Sequence, residues 1–186
     1  LYDFNRIPHP FTNMHVTEQG LEQLDEYIGR VRSVIGTKVP LAIDHFGHFP
    51  LPDMIKIARR LEKYHLAWLE DMLPWYLTGQ YGELKHATTA PIATGEDMYL
   101  AESFEPLLQA GVLDVVHPDL LTSGGILETK KLGDLAARYG ASMALHMCES
   151  PVSALAGAHM ATASENFFAQ EHDAFDSEWW QDLIIG

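Results

Sequence analysis

Short apolar runs alternate with amphipathic helical patterns along this 186-residue chain, and this repeat constrains the fold more than any other feature. A run recurs about every 25 residues, is short enough for a buried strand, and is followed by a polar or charged cluster. A strand followed by a helix, repeated in this way, predicts βα units and a parallel sheet. The runs cover residues 41–43, 66–69, 91–93, 112–116, 142–145 and 166–169.

Two of the intervening helices carry start or stop signals in the sequence. Thr17 is a suitable N-cap, and Gly36 is a suitable stop for the helix. A second helix is predicted for residues 126–139, with Gly140 in the corresponding stop position. The apolar face of the first helix is predicted to consist of Leu21, Leu24, Ile28, Val31 and Ile35.

Parallel strands that are buried on both faces belong to a doubly wound sheet or to a closed barrel. A doubly wound sheet would carry a glycine-rich phosphate turn after its first strand, where Gly47 stands alone here. Polar residues at the carboxyl ends of nearly all the strands favour the barrel, because that face carries the chemistry of βα barrels. Six strands are predicted where a closed barrel needs eight. We therefore expect an α/β chain whose residues 1–186 form part of a (β/α)₈ TIM barrel.

The charge and cysteine content exclude several classes of partner. Lys and Arg number 12 and Asp and Glu number 26, so the formal net charge is −14. A nucleic-acid backbone or an anionic membrane would require a basic face, and no apolar run is long enough for a membrane helix. A single cysteine, Cys148, excludes a disulfide framework and suits a reducing compartment, so we expect a cytoplasmic protein.

Three acidic residues occur at the ends of successive predicted strands. Asp44, Glu70 and Glu96 follow one another at intervals of 26 residues, one βα unit each. Carboxylates brought together at one mouth of a barrel repel one another unless a cation lies between them. Carboxylate oxygens in a partly hydrated site suit Mg²⁺. The regular spacing favours a magnesium site over three unrelated surface acids of a very acidic chain.

The next two strand ends carry Asp119 and His146, which continue the same spacing. An imidazole that is hydrogen-bonded to a carboxylate has a fixed tautomer and a raised basicity, which suits proton transfer. A lone histidine on an apolar strand is more often a structural residue of the core. Beside an acid on the adjacent strand and a predicted metal site, His146 is predicted to act as an acid/base.

These residues resemble the barrel domain of the enolase superfamily, in particular its mandelate racemase/muconate lactonizing enzyme branch with the acid-sugar dehydratases. The similarity spans about residues 15–175 and rests on the motifs Ile43-Asp44-His45-Phe46-Gly47-His48, Trp68-Leu69-Glu70-Asp71, Thr94-Gly95-Glu96-Asp97, His117-Pro118-Asp119 with Ser123-Gly124-Gly125-Ile126, Ala144-Leu145-His146 and Gln170-Glu171-His172. It implies strands two to seven of the barrel, without the capping domain and the first and last strands. It also implies one Mg²⁺ on Asp44, Glu70 and Glu96, and a His146–Asp119 dyad.

The resemblance implies abstraction of the proton α to a carboxylate, with Mg²⁺ stabilising the enolate. The expected enzyme is a lyase that dehydrates a sugar acid to a 2-keto-3-deoxy acid and forms a homo-oligomer when full length. Related dehydratases place a histidine where this chain has Phe46, so His45 is a candidate catalytic residue and His48 a candidate substrate contact. Glu171 is the other candidate substrate contact: it would bind the substrate carboxylate if protonated, or the enolate oxygen through a neighbour.

Three other functions fit parts of the same sequence. A racemase or epimerase of a hydroxy acid would use the same site with a second base on the opposite face of the substrate. A zinc hydrolase would use Asp44, His45 and His48, but it leaves the regularly spaced acids unexplained. A non-catalytic acid-sugar-binding paralogue would need neither the complete ligand set nor the dyad.

Overall fold

Six short strands alternate with helices along the part of the chain that the structure, a computed structural model, describes: residues 15–44, 49–172 and 179–185. The elements are α1 (Glu18–Ile35), β1 (Ile43–Asp44), α2 (Leu51–Leu61), β2 (Leu69–Glu70), α3 (Thr78–Ala87), β3 (Ile92–Thr94), α4 (Leu100–Gln109), β4 (Val115–Val116), α5 (Ile126–Arg138), β5 (Ser142–Leu145), α6 (Pro151–Thr162) and β6 (Phe167–Gln170). Single 3₁₀ turns occupy Glu62–Tyr64 and Trp180–Leu183. None of the helices in these ranges is long and apolar enough to cross a membrane.

The signals at the ends of α1 and α5 act as the sequence predicts. The Thr17 hydroxyl accepts a hydrogen bond from the Gly20 N–H at 3.0 Å, and Gly36 ends α1 at a φ of 70°. Gly140 follows α5 at a φ of 76°. The predicted face of α1 is only partly covered, because its last two residues are half-buried. Its fully buried members are Leu21, Leu24 and Ile28.

The chain divides into two compact units, Leu1–Ile92 and Ala93–Gly186. In the first unit, β1 and β2 pair in parallel, with Ile43 opposite Leu69 and Asp44 opposite Glu70. The Leu69 N–H also donates to the Pro91 carbonyl at 2.8 Å, just before β3. Each strand of this unit therefore lies beside the next one along the chain.

The second unit repeats the same arrangement with four strands. The end of β3 pairs in parallel with β4, β4 with β5, and β5 with β6. Helices α4 and α5 connect these strands and bury apolar side chains that include Phe104 and Leu132. Parallel strands in chain order, with helices between successive strands, confirm the predicted fold class of a partial (β/α)₈ barrel. Within each unit the carboxyl ends of the strands share one edge, where the polar residues follow.

Gly95 joins β3 to the acidic residue Glu96 in a backbone conformation that side chains disfavour. Its φ is +147°, and a Cβ built on it would lie 2.6 Å from the Phe104 ring and 3.0 Å from the His117 carbonyl carbon. Contacts this short require the buried ring or the backbone just after β4 to move. The local sequence therefore needs glycine here to place Glu96 at the end of the strand.

We expect Gly95→Ala to lower the free energy of unfolding by about 1–3 kcal/mol or more, because overpacking adds to the strained backbone. Urea denaturation followed by circular dichroism measures this change. Gly79→Ala is the matched control, since no atom lies within 4 Å of a Cβ built on Gly79 in α3. Equal unfolding free energies in the two variants would contradict the close packing described around Gly95.

Candidate active site

Asp119 and His146 lie opposite each other where β4 and β5 continue beyond their regular pairing. The two residues form a parallel bridge, and the His146 N–H donates to the Pro118 carbonyl at 3.1 Å. Their side chains meet as well, with His146 Nδ1 2.7 Å from Asp119 Oδ2. The backbone pairing thus fixes both members of the predicted dyad, and Nδ1 is the ring nitrogen that faces the carboxylate.

The Asp119 carboxylate is held from its other side by its own turn. The Leu121 N–H donates to Asp119 Oδ1 at 2.7 Å, and Asp119 is only 1% exposed. Burial alone would favour the neutral acid, but the hydrogen bonds from His146 and from the backbone keep the pKa of Asp119 below its ordinary value. The carboxylate is therefore ionised and cannot rotate freely, which orients the imidazole.

Two further carboxylates lie near the other nitrogen of His146. Its Nε2 is 3.3 Å from Glu96 Oε2 and 3.8 Å from Glu171 Oε2. Burial opposes the charged ring, yet the Asp119 hydrogen bond and the charges of Glu96 and Glu171 raise the pKa of His146 to about 9. These carboxylates thus favour the protonated ring within the second unit, and they would stabilise a proton transferred to Nε2 in the same way.

His117, which the sequence indicates only as part of a motif, is a neighbour of this site. It is 1% exposed, and its Nε2 lies 3.7 Å from Glu171 Oε1. The Met147 N–H donates to Glu171 Oε2 at 3.2 Å. Burial works against ionisation, but His117 and this N–H lower the pKa of Glu171, which favours its carboxylate form. The spacing of two residues between His117 and Asp119 is a signal that could have identified it.

In the first unit, the other two predicted metal ligands lie on neighbouring strands. Asp44 and Glu70 are opposite each other in the β1–β2 pairing. Asp44 is exposed, whereas Glu70 is only 3% exposed and accepts a hydrogen bond from Trp68 Nε1 at 2.7 Å. Glu96 belongs to the second unit. All three candidates offer carboxylate oxygens, which is the donor chemistry that Mg²⁺ prefers.

The remaining two candidates, His45 and His48, lie outside the described residues. Their predicted catalytic and substrate-binding roles therefore stay predictions, as does the zinc site that would combine them with Asp44. Cys148 is exposed, two residues after His146. Ligand atoms of His146, Cys148 and Glu149 lie within 4.8 Å of one another.

A family model and relatives of known name agree on the family to which this chain is similar. A family model described as "Enolase C-terminal domain-like" matches residues 10–186. The chain is 32% identical over 172 residues to a D-xylonate dehydratase of Haloferax volcanii, which covers 92% of this chain and 42% of that protein. It is 27% identical over 172 residues to a D-gluconate/D-galactonate dehydratase of Picrophilus torridus, covering 91% of this chain and 44% of that protein.

A crystal structure with a similar fold is that of a mandelate racemase/muconate lactonizing enzyme-like protein from Rubrobacter xylanophilus. The TM-score is 0.88 at 33% sequence identity, over 94% of this chain and 44% of that one. The chain thus spans less than half the length of each of these three proteins.

In the metal-free protein, we expect the His146 ring to titrate with a midpoint of about 9. Asp119→Asn should lower this midpoint, because it replaces the charged acceptor that favours the protonated ring by a neutral amide. Proton NMR of the imidazole signals against pH measures it. Asp134→Asn, at an exposed position of α5, is the control that should leave the midpoint unchanged. A wild-type midpoint at the ordinary 6.5 would contradict the described contacts of the ring.

Proposed function

Because the chain belongs to the enolase C-terminal domain-like family, we propose that it is part of a lyase that dehydrates a sugar acid. The reaction removes the proton α to the substrate carboxylate and eliminates the β-hydroxyl, which gives a 2-keto-3-deoxy acid. We further propose that residues 1–186 contribute to a single barrel domain of this enzyme. The observation that supports the proposed reaction is the dyad, in which a buried, ionised Asp119 holds the imidazole of His146.

His146 is the proposed base for the α proton. Asp119 occupies its Nδ1 side, so the proton passes from carbon to Nε2, and the electron pair of the C–H bond moves into the enolate. A proton α to a carboxylate is very weakly acidic, so a strong acceptor and stabilisation of the developing charge are both needed. The hydrogen bond to Asp119 supplies the first of these requirements, since the carboxylate stabilises the protonated ring.

Asp44, Glu70 and Glu96 are the proposed Mg²⁺ ligands. Their carboxylate oxygens have the hardness that this cation requires, and Glu70 is buried on a strand beside Asp44. When bound, Mg²⁺ would offset two of the three negative charges and supply a cation that stabilises the enolate. The ligand set of three acids leaves coordination positions for oxygen atoms of a substrate.

The departing hydroxyl must receive a proton so that it leaves as water. His146 holds the proton that it has removed and can deliver it, or His45 or His48 can supply one instead. Glu171 is the proposed substrate contact, and its lowered pKa favours a role as hydrogen-bond acceptor. An ionised Glu171 would accept hydrogen bonds from the hydroxyl groups of a sugar acid. Binding of the substrate carboxylate would instead require the protonated form of Glu171.

Two of the reported relatives, by name, act on xylonate, gluconate or galactonate. This supports a polyhydroxylated monocarboxylic acid as the substrate class. Racemisation or epimerisation is the second candidate, favoured by the mandelate racemase-like solved structure. It would return the acid with an inverted α carbon and release no water, so the product of turnover distinguishes the two reactions.

We expect Glu70→Gln and Glu96→Gln each to weaken Mg²⁺ binding strongly in the full-length protein, because each replaces a charged ligand by a neutral one of the same shape. Isothermal titration calorimetry with MgCl₂ measures the affinity. Glu102→Gln, at an exposed position of α4, is the matched control and should bind Mg²⁺ as the wild type does. Unchanged affinity in both ligand variants would exclude the proposed metal site.

We expect His146→Asn to reduce turnover by about 10²- to 10⁴-fold, the usual contribution of a general acid–base group. Asp119→Asn should also lower turnover, since the imidazole remains but loses the charge that orients it. The assay follows the formation of 2-keto-3-deoxy acid from a panel of sugar acids by the full-length protein with Mg²⁺.

Cys148→Ala is the control for these two variants, because the thiol lies near His146 while removal of a carbon-bound proton requires no thiol. It should retain most of the activity. Full turnover in His146→Asn would remove this residue from the mechanism. An inactive but folded Cys148→Ala would instead indicate covalent catalysis.

A further inference from the structure

The side chains of Trp68 and Glu70 meet because they are two residues apart on an extended segment. Residues at i and i+2 of a strand point to the same face. Here the indole Nε1–H of Trp68 donates to Glu70 Oε2 at 2.7 Å. Both residues are buried, Trp68 at 8% and Glu70 at 3% exposed. The hydrogen bond therefore forms in an environment where water competes little for either partner.

The backbone of Trp68 is also tied to the strand that carries Asp44. The Ile43 N–H donates to the Trp68 carbonyl at 3.3 Å, next to the β1–β2 pairing in which Asp44 lies opposite Glu70. One residue thus contacts β1 through its main chain and the Glu70 carboxylate through its side chain. Of these two contacts, only the one made by the side chain requires a tryptophan at position 68.

A buried carboxylate is costly unless hydrogen bonds or charges compensate for lost hydration. A donor fixed on Oε2 meets part of this cost and prevents the carboxylate from rotating. A carboxylate anchored through Oε2 can present Oε1 to a cation without losing further rotational freedom. Hydrogen-bonding partners of metal ligands act in this way in many proteins, and their replacement typically weakens metal binding.

We infer that Trp68 is a positioning residue for the divalent-cation site, acting through its indole N–H on Glu70. This inference rests on the proposed role of Glu70 as a ligand of Mg²⁺. Trp68 does not contribute a ligand atom itself. Its side chain orients one carboxylate ligand, so loss of the indole N–H should change the affinity for the cation.

The test measures Mg²⁺ binding by calorimetry in the full-length protein. Trp68→Phe keeps an aromatic ring and removes the N–H donor, so the dissociation constant should rise about 10- to 100-fold. A second variant carries benzothienylalanine at position 68, which preserves the shape of the indole and replaces its N–H by sulfur. It should show a similar rise, and it keeps the test valid if Trp68→Phe does not fold.

Tryptophan fluorescence reports whether the cation reaches the carboxylate that accepts the indole N–H, and the Trp68→Phe protein assigns the signal to this residue. Binding of Mg²⁺ to Glu70 should change the emission of Trp68, and this change should be absent from the Trp68→Phe protein. Trp179→Phe is the matched control, because Trp179 is an exposed residue of the second unit. It should bind Mg²⁺ like the wild type and keep the emission change.

The outcomes separate the two proposals. If Glu70→Gln weakens Mg²⁺ binding while both Trp68 variants bind like the wild type, the positioning role is wrong and the metal site stands. If Glu70→Gln binds Mg²⁺ like the wild type, the role of Glu70 as a ligand fails, and the inference for Trp68 fails with it. A lower melting temperature of the Trp68 variants with an unchanged dissociation constant would also overturn the positioning role.

Discussion

The hydrogen bond of 2.7 Å between His146 Nδ1 and Asp119 Oδ2 is the interaction on which the proposed chemistry depends. It forms because the main chains of β4 and β5 stay in register beyond their regular ends. Asp119 remains ionised in a buried position because His146, Glu149 and a backbone N–H of its own turn compensate for lost hydration. The same pairing therefore fixes the imidazole, its tautomer and the charge that makes it basic.

The positions of the candidate site residues could be predicted from the sequence because the chain repeats one structural unit. A residue at the end of one βα unit recurs at the end of the next, so spacing alone identified Asp44, Glu70, Glu96 and the dyad. The fold class followed from the same repeat. The predicted strands were shifted, however: β1 and β2 include Asp44 and Glu70 rather than ending before them. Main-chain hydrogen bonds set the strand bounds, and the pattern of apolar residues does not show where these bonds begin and end.

The side-chain partners of these residues could not be predicted in the same way. Glu171 was expected either to bind the substrate carboxylate when protonated or to act through a neighbour, but the buried ring of His117 lies 3.7 Å away and favours its ionised form. The hydrogen bond from Trp68 to Glu70 likewise depends on rotamers and burial. Such contacts depend on three-dimensional packing, whereas spacing along the chain encodes only the order and period of the elements.

The proposed reaction begins with removal of the proton α to the carboxylate of a sugar acid. Proton NMR of the α position, recorded while the full-length protein acts on a sugar acid in D₂O with Mg²⁺, follows this step. The proposed mechanism predicts that the α-proton signal disappears, by exchange with solvent or by conversion to the 2-keto-3-deoxy product. An α-proton signal that stays unchanged for every acid of a broad panel would contradict it and would favour a protein that binds acid sugars without transforming them.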